Sequence, residues 1–130
     1  MSTPRAPGPS SDLVLVVDDD ADLLEMLEVV LRMGNCRVVR ASSGRAAMEL
    51  LRAEQPALVL LDLMLPDMRG EELFEQLRSL QQPPPVVVMS AAVDTGDRAR
   101  RLGVPYLIKP FDVEGLMALV RQVCPSAVAL

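Results

Sequence analysis

Histidine is missing from this chain altogether, and tryptophan with it. Without imidazole there is no Ser-His-Asp or Cys-His triad, no imidazole zinc site and no phosphohistidine on this polypeptide. Chemistry here falls to carboxylates, hydroxyls and lysine. Aromatic residues are nearly absent as well, with two Phe and one Tyr. The core must be aliphatic, and a hydrophobic fraction of 50% that includes eight Met supplies it. Cysteine is scarce: Cys36 and Cys124 lie far apart without metal-ligand spacing and read as two reduced thiols of a cytoplasmic protein. No apolar run approaches the roughly 18 residues of a membrane span. Met1 to Ser11 carries one Arg and no apolar stretch, so it is not a secretory signal. The net charge of −5 argues against nucleic acid or an anionic membrane surface as a partner of this domain.

What is present is a series of short apolar runs that end in polar residues. Leu58-Val59-Leu60-Leu61 runs straight into Asp62, and a loop bounded by Pro66 and Gly70 follows. An unalternating run of this kind reads as a strand buried on both faces. Leu13 to Val17 is a second such run, ending in Asp18, Asp19 and Asp20. Val86 to Met89 is a third, ending in Ser90, and Tyr106 to Ile108 is a short one ending in Lys109-Pro110. Arg37 to Ala41, with charges flanking Val38-Val39, suits an edge strand.

Helical spacing fills the intervals. Leu23, Leu24, Leu27 and Leu31 define a first helix, capped by Asp20 and stopped by Gly34 and Asn35. Ser42 or Ser43 caps a second, with Ala46, Ala47, Leu50 and Leu51, which Pro56 closes. A third runs from about Gly70 to Leu80 and buries Leu73, Phe74 and Leu77. Asp94 to Arg101 leaves room for about two turns, and Asp112 caps a last helix ended by Pro125. Residues 1–11 read as a disordered leader and 125–130 as a tail, leaving one domain over 12–124.

The pattern predicts a (βα)5 doubly wound α/β fold, a five-stranded parallel sheet in flavodoxin-like order 2-1-3-4-5. Its switch point falls between strands 1 and 3, so Asp18, Asp19, Asp62, Ser90 and Lys109 all end strands on one rim. Taken singly, each is ordinary: Asp62 a turn residue, Asp18 and Asp19 helix-start acids, Ser90 a cap, Lys109 a solvated lysine. Together they leave three carboxylates against one ammonium. Two carboxylates about 4 Å apart repel by roughly 4 kcal/mol at an effective dielectric near 20. A divalent cation cancels the excess, and all-oxygen donors select Mg²⁺ or Mn²⁺. One carboxylate is then free to face a phosphoryl group.

Four ordered motifs, VLVVDDD at 14–20, LLDLMLPDMRG at 60–70, VVVMSA at 86–91 and YLIKPF at 106–111, resemble the receiver domains of two-component response regulators, the chemotaxis-regulator type among them. The resemblance implies that Asp62 accepts a phosphoryl group from a sensor histidine kinase or phosphotransfer protein. It implies Mg²⁺ held by Asp18, Asp19, Asp62 and the backbone carbonyl of Met64. Ser90 would bond a phosphoryl oxygen, and Lys109 would pair with the phosphate. Tyr106 would turn inward as Ser90 moves, and the Lys109-Pro110 peptide would be cis. Such a domain modifies and demodifies itself without turning over an external substrate, switches a surface for a downstream protein, and is not an enzyme in that sense.

Two features depart from the family pattern. The segment from Ala91 to Pro105 is short and Gly103-Val104-Pro105 lacks acids, so a stunted or poorly ordered fourth helix and a monomer or weak dimer are expected. Met64 and Ala92 offer no polar group to place a water, so loss of the phosphoryl group should be slow. Arg98, Arg100 and Arg101 form a basic patch, read as a solvated face or a docking site. Three other readings compete. A Mg²⁺-dependent aspartyl-phosphate phosphatase would open with Asp18-x-Asp20, but Ala21-Asp22 lacks the Gly or Thr expected next. A calcium loop from Asp18 would need Gly at Leu23 and Glu at Val29. A non-phosphorylated docking module would be expected to lose one of Asp62, Ser90 and Lys109, and all three are present.

Overall fold

The computed structural model describes residues 10–123. The chain alternates strictly: β1 (Ser10–Val17), α1 (Ala21–Met33), β2 (Arg37–Ala41), α2 (Gly44–Leu51), β3 (Pro56–Asp62), α3 (Gly70–Arg78), β4 (Val86–Ser90), α4 (Thr95–Leu102), β5 (Tyr106–Ile108) and α5 (Val113–Val123). All pairings are parallel and the strand order is 2-1-3-4-5. The predicted fold is the observed one.

The continuous apolar runs are explained by two cores. Side chains alternate across a strand. Val14, Val16, Leu58, Leu60, Val87 and Met89 therefore face α1 and α5, meeting Leu24, Leu27, Leu31, Leu116, Met117 and Val120. Leu15, Val17, Val59 and Leu61 face the other way, onto Ala47 of α2 and Leu73, Phe74 and Leu77 of α3. Each fully buried leucine contributes about 1.5–3 kcal/mol. β2 is an edge, and its two arginines find acids nearby: Arg37 pairs with Asp12 at 3.1 Å and Arg40 with Glu28 at 3.1 Å.

Helix ends follow the caps read from sequence. The Asp20 carboxylate accepts from the N–H groups of Asp22 and Leu23, and Ser43 Oγ accepts from Ala46 N–H. Asp112 Oδ1 accepts from Gly115 N–H at the start of α5. Asn35, at φ 65°, turns the chain after α1. The Lys109-Pro110 peptide is cis.

Three boundaries differ from expectation. β1 begins at Ser10, inside the stretch read as a leader, with a register irregularity between Ser10 and Val14 that the polar sequence does not announce. The rest of that leader and the tail from 125, with Cys124, lie outside the described residues. Pro56 opens β3 instead of closing the helical unit before it, a position at a strand's start where its missing N–H costs no ladder bond. The fourth helix is short, at eight residues, but it is fully formed and no shorter than α2. It ends on Gly103 in the left-handed region at φ 74°, the usual stop for a helix. Among the described residues, no helix is long and apolar enough to cross a membrane.

Candidate functional site

Parallel strands bring their carboxyl ends to one rim, and the register sets the heights. Val17 lies opposite Leu61, so Asp18 and Asp62 leave the sheet side by side. Asp62 pairs with Met89, which puts Ser90 one step higher, and Ser90 pairs with Ile108, the residue before Lys109. Asp19, Asp62, Met64, Ser90 and Lys109 line one open cleft of about 350 Å³, with Leu65, Pro66 and Ala91 as its apolar wall.

Asp18, Asp62 and Ser90 are buried; Asp19 is exposed. Each buried carboxylate is held at both oxygens. Asp18 Oδ1 accepts from Asp20 N–H at 2.9 Å and Oδ2 from Lys109 Nζ at 2.5 Å. Asp62 Oδ1 accepts from Met64 N–H at 3.0 Å and Oδ2 from Lys109 Nζ at 3.2 Å. Ser90 Oγ accepts from Ala92 N–H at 3.1 Å. Lys109 is the only lysine in a chain that otherwise uses arginine for its positive charge. A compact ammonium on a flexible stem can sit between two carboxylates that a planar guanidinium would have to fork across.

Charge in this cluster is unbalanced. Burial pushes the Asp62 carboxyl above the usual range, and the Asp18 charge adds to it; the Met64 N–H and Lys109 pull the other way without prevailing. Burial alone would lower the Lys109 ammonium, but the bond to Asp18 and the charges of Asp62 and Asp18 outweigh it and hold the lysine above its ordinary value. One oxygen each from Asp18, Asp19 and Asp62 come within 4.8 Å of one another. Three converging carboxylate oxygens against a single ammonium fit a hard divalent cation with oxygen ligands.

The sequence profile of the response regulator receiver domain matches residues 14–121. The chain belongs to the response regulator receiver family. This receiver domain is 41% identical over 111 residues to the DNA-binding response regulator MtrA of Mycolicibacterium paratuberculosis, covering 83% of this chain and 49% of that one. It spans about half the length of the curated relatives it matches. A CheY-like receiver domain from Methylobacillus flagellatus superposes with a TM-score of 0.79 at 28% identity, over 88% of this chain and 99% of the other. The receiver domain of the sensor histidine kinase PA1611 from Pseudomonas aeruginosa, with a magnesium ion coordinated in its active-site cleft, superposes at 0.80 with 24% identity, over 90% of this chain and all of that one.

The carboxyl rim of the sheet brings Asp18, Asp19, Asp62, Met64, Ser90 and Lys109, the residues singled out in the sequence, close together. Tyr106 stands apart from the cleft, half-buried against Leu63, Val88 and Ala99. Its hydroxyl passes over α4, where a Cβ on Gly96 would come within 3.1 Å of it. The basic patch needs correction. Arg98 is not a solvated or docking residue: its guanidinium binds both oxygens of Glu71 in α3, at 2.6 and 2.7 Å, with only 11% of the side chain exposed. Arg100 pairs with Asp97 at 2.7 Å on its own helix. Sequence reading also missed Asp67, whose carboxylate crosses to the N-terminus of α2. The one available signal was that α2 has no acid in its first turn.

Proposed function

We propose that this domain takes a phosphoryl group from the phosphohistidine of a sensor histidine kinase or phosphotransfer protein onto Asp62, and that the modified state alters a partner-binding surface. The observation that carries this reading is the Lys109 ammonium bonded to both buried carboxylates, Asp18 and Asp62, at the mouth of an open cleft. A structural ion pair would not need a third, exposed carboxylate beside it, and Asp19 is there.

Asp18, Asp19, Asp62 and the Met64 carbonyl would hold Mg²⁺, or Mn²⁺, and the ion bound in the PA1611 receiver supports that assignment. When bound, the ion supplies positive charge that offsets carboxylate repulsion and the charge on the phosphoryl oxygens. Asp62 provides the nucleophilic oxygen. As its O–P bond forms, the P–N bond to the donor imidazole breaks, and that imidazole leaves with the electron pair and takes a proton from water. Lys109 follows the new negative charge, pairing with a phosphoryl oxygen. The Ser90 hydroxyl donates to another, and Tyr106 fills the space Ser90 leaves.

Phosphorylation shifts the domain only by its unequal interaction with two conformations; here the difference lies in the Ser90 and Lys109 contacts. Water later cleaves the acyl phosphate and regenerates Asp62, so the domain cycles without turning over an outside substrate. With a net charge of −5 it suits a protein partner in the cytoplasm better than DNA. In a longer protein built like its relatives, the effect would pass to a DNA-binding segment.

The test is intact mass after incubation with acetyl phosphate. One added phosphoryl group is expected with Mg²⁺ and none with a chelator. Equal uptake by the Asp62→Asn variant would overturn the assignment.

A further inference from the structure

The loop leaving Asp62 is tied down in two places, and the second lies on a different element. At its base Gly70 N–H donates to the Leu63 carbonyl at 2.9 Å, and Met64 pairs with Arg69 in an antiparallel bridge. A Cβ on Gly70 would stand 2.6 Å from Leu63 Cα, so this closure requires glycine. The tip is held elsewhere. Asp67 Oδ1 accepts from Gly44 N–H and Oδ2 from Arg45 N–H, each at 2.9 Å. Beside them the Met68 thioether lies on Gly44, where a Cβ would come within 2.4 Å of Sδ.

α2 depends on this contact for its own first turn. The opening N–H groups of a helix have no partner within it. Ser43 Oγ takes the Ala46 N–H and the Ser43 carbonyl takes that of Ala47. The Gly44 and Arg45 N–H groups go to Asp67. With no acid in its own first turn, α2 receives from another segment the negative charge that favours a helix N-terminus.

We propose that Asp67 is a positioning residue for the phosphoryl-acceptor site: its clamp on α2 fixes the loop that carries Met64 and so sets how tightly the site holds Mg²⁺. The inference rests on the reading of Asp62 given above. Asp18, Asp19 and Asp62 lie at strand ends and are placed by the sheet. Met64 is the assigned donor on the loop, so its carbonyl is the one whose position the clamp governs. Coupling of this kind is reciprocal. A cation that favours the clamped loop must also protect the Gly44 and Arg45 amides from exchange.

The experiment titrates the full chain with Mg²⁺ and follows amide exchange at Gly44 and Arg45. Acetyl phosphate uptake is measured in parallel by mass. Wild type, Asp67→Ala and Asp67→Asn are compared, the last retaining one acceptor oxygen. For Asp67→Ala the half-saturating Mg²⁺ is expected to rise roughly fivefold or more, while uptake at saturating Mg²⁺ stays within about twofold, the pattern of lost binding without lost chemistry. Asp67→Asn should fall between, and Mg²⁺ should slow Gly44 and Arg45 exchange in the wild type but not in Asp67→Ala. Unchanged half-saturation in both variants, or wild-type amides indifferent to Mg²⁺, overturns the proposal. A wild type that binds Mg²⁺ but takes up no phosphoryl group refutes the Asp62 reading instead, and the exchange data still decide the clamp.

Discussion

The Lys109 ammonium stands between two buried carboxylates, 2.5 Å from Asp18 Oδ2 and 3.2 Å from Asp62 Oδ2. It is the only lysine the chain has. Removing it leaves two acids facing one another at the rim of the sheet.

Lys109→Met should therefore cost roughly 2–3 kcal/mol of stability without divalent cation, less than a fully buried pair because a fifth of the lysine side chain meets solvent. Mg²⁺ should restore more stability to this variant than it adds to the wild type. Urea unfolding with and without Mg²⁺ measures both, and an equal response of the two proteins would contradict the charge argument.

Arg98 and Glu71 join α4 to α3, and pH should reveal it. The hydrogen bond from Arg98 is the main cause holding the Glu71 carboxyl below its ordinary value of 4.5. A lowered carboxyl contributes stability that is present above the ordinary value and is lost as pH falls through the folded one. Glu71→Gln should be less stable than wild type by about 1 kcal/mol at pH 7. The gap should close below about pH 4.5. Thermal melts across that range check it; a gap that widens in acid would be the wrong sign.

Hydrolysis of the acyl phosphate should be slow. Met64, Leu65, Pro66 and Ala91 wall the cleft with apolar surface, leaving no side chain on that side to orient a water. The half-life should be minutes to hours, and Met64→Asn should shorten it severalfold. Decay followed by intact mass after desalting decides, and a wild-type lifetime of seconds would count against the reading.

Association through α4, β5 and α5 should be weak. Arg98 and Arg100 have their acids within the domain, at Glu71 and Asp97, which removes charges that could pair across a dimer. Sedimentation of the phosphorylated chain should give a monomer; a tight phosphorylation-dependent dimer on that face would refute this.

Much of this was legible in the chain because its signals are local. An apolar run ending in a carboxylate announces both a buried strand and the residue at its rim, as at Leu58 to Asp62. Asp20 and Ser43 cap helices they immediately precede. What escaped was set by contacts between distant segments. Asp67 bonds 22 and 23 residues away and Arg98 bonds 27 residues away, and side-chain type alone does not reveal such partners. The Arg98 cluster looked like a surface patch because charge runs usually are. Ser10 joined β1 through pairing with Pro56, against the polar character of its neighbours.

The most direct measurement reduces the phosphorylated chain with borohydride, which converts an aspartyl phosphate to homoserine, and maps the product by peptide mass. Homoserine at position 62 alone, formed only after incubation with acetyl phosphate and Mg²⁺, is the expected result. Homoserine at 18 or 19, or none at all, would contradict it.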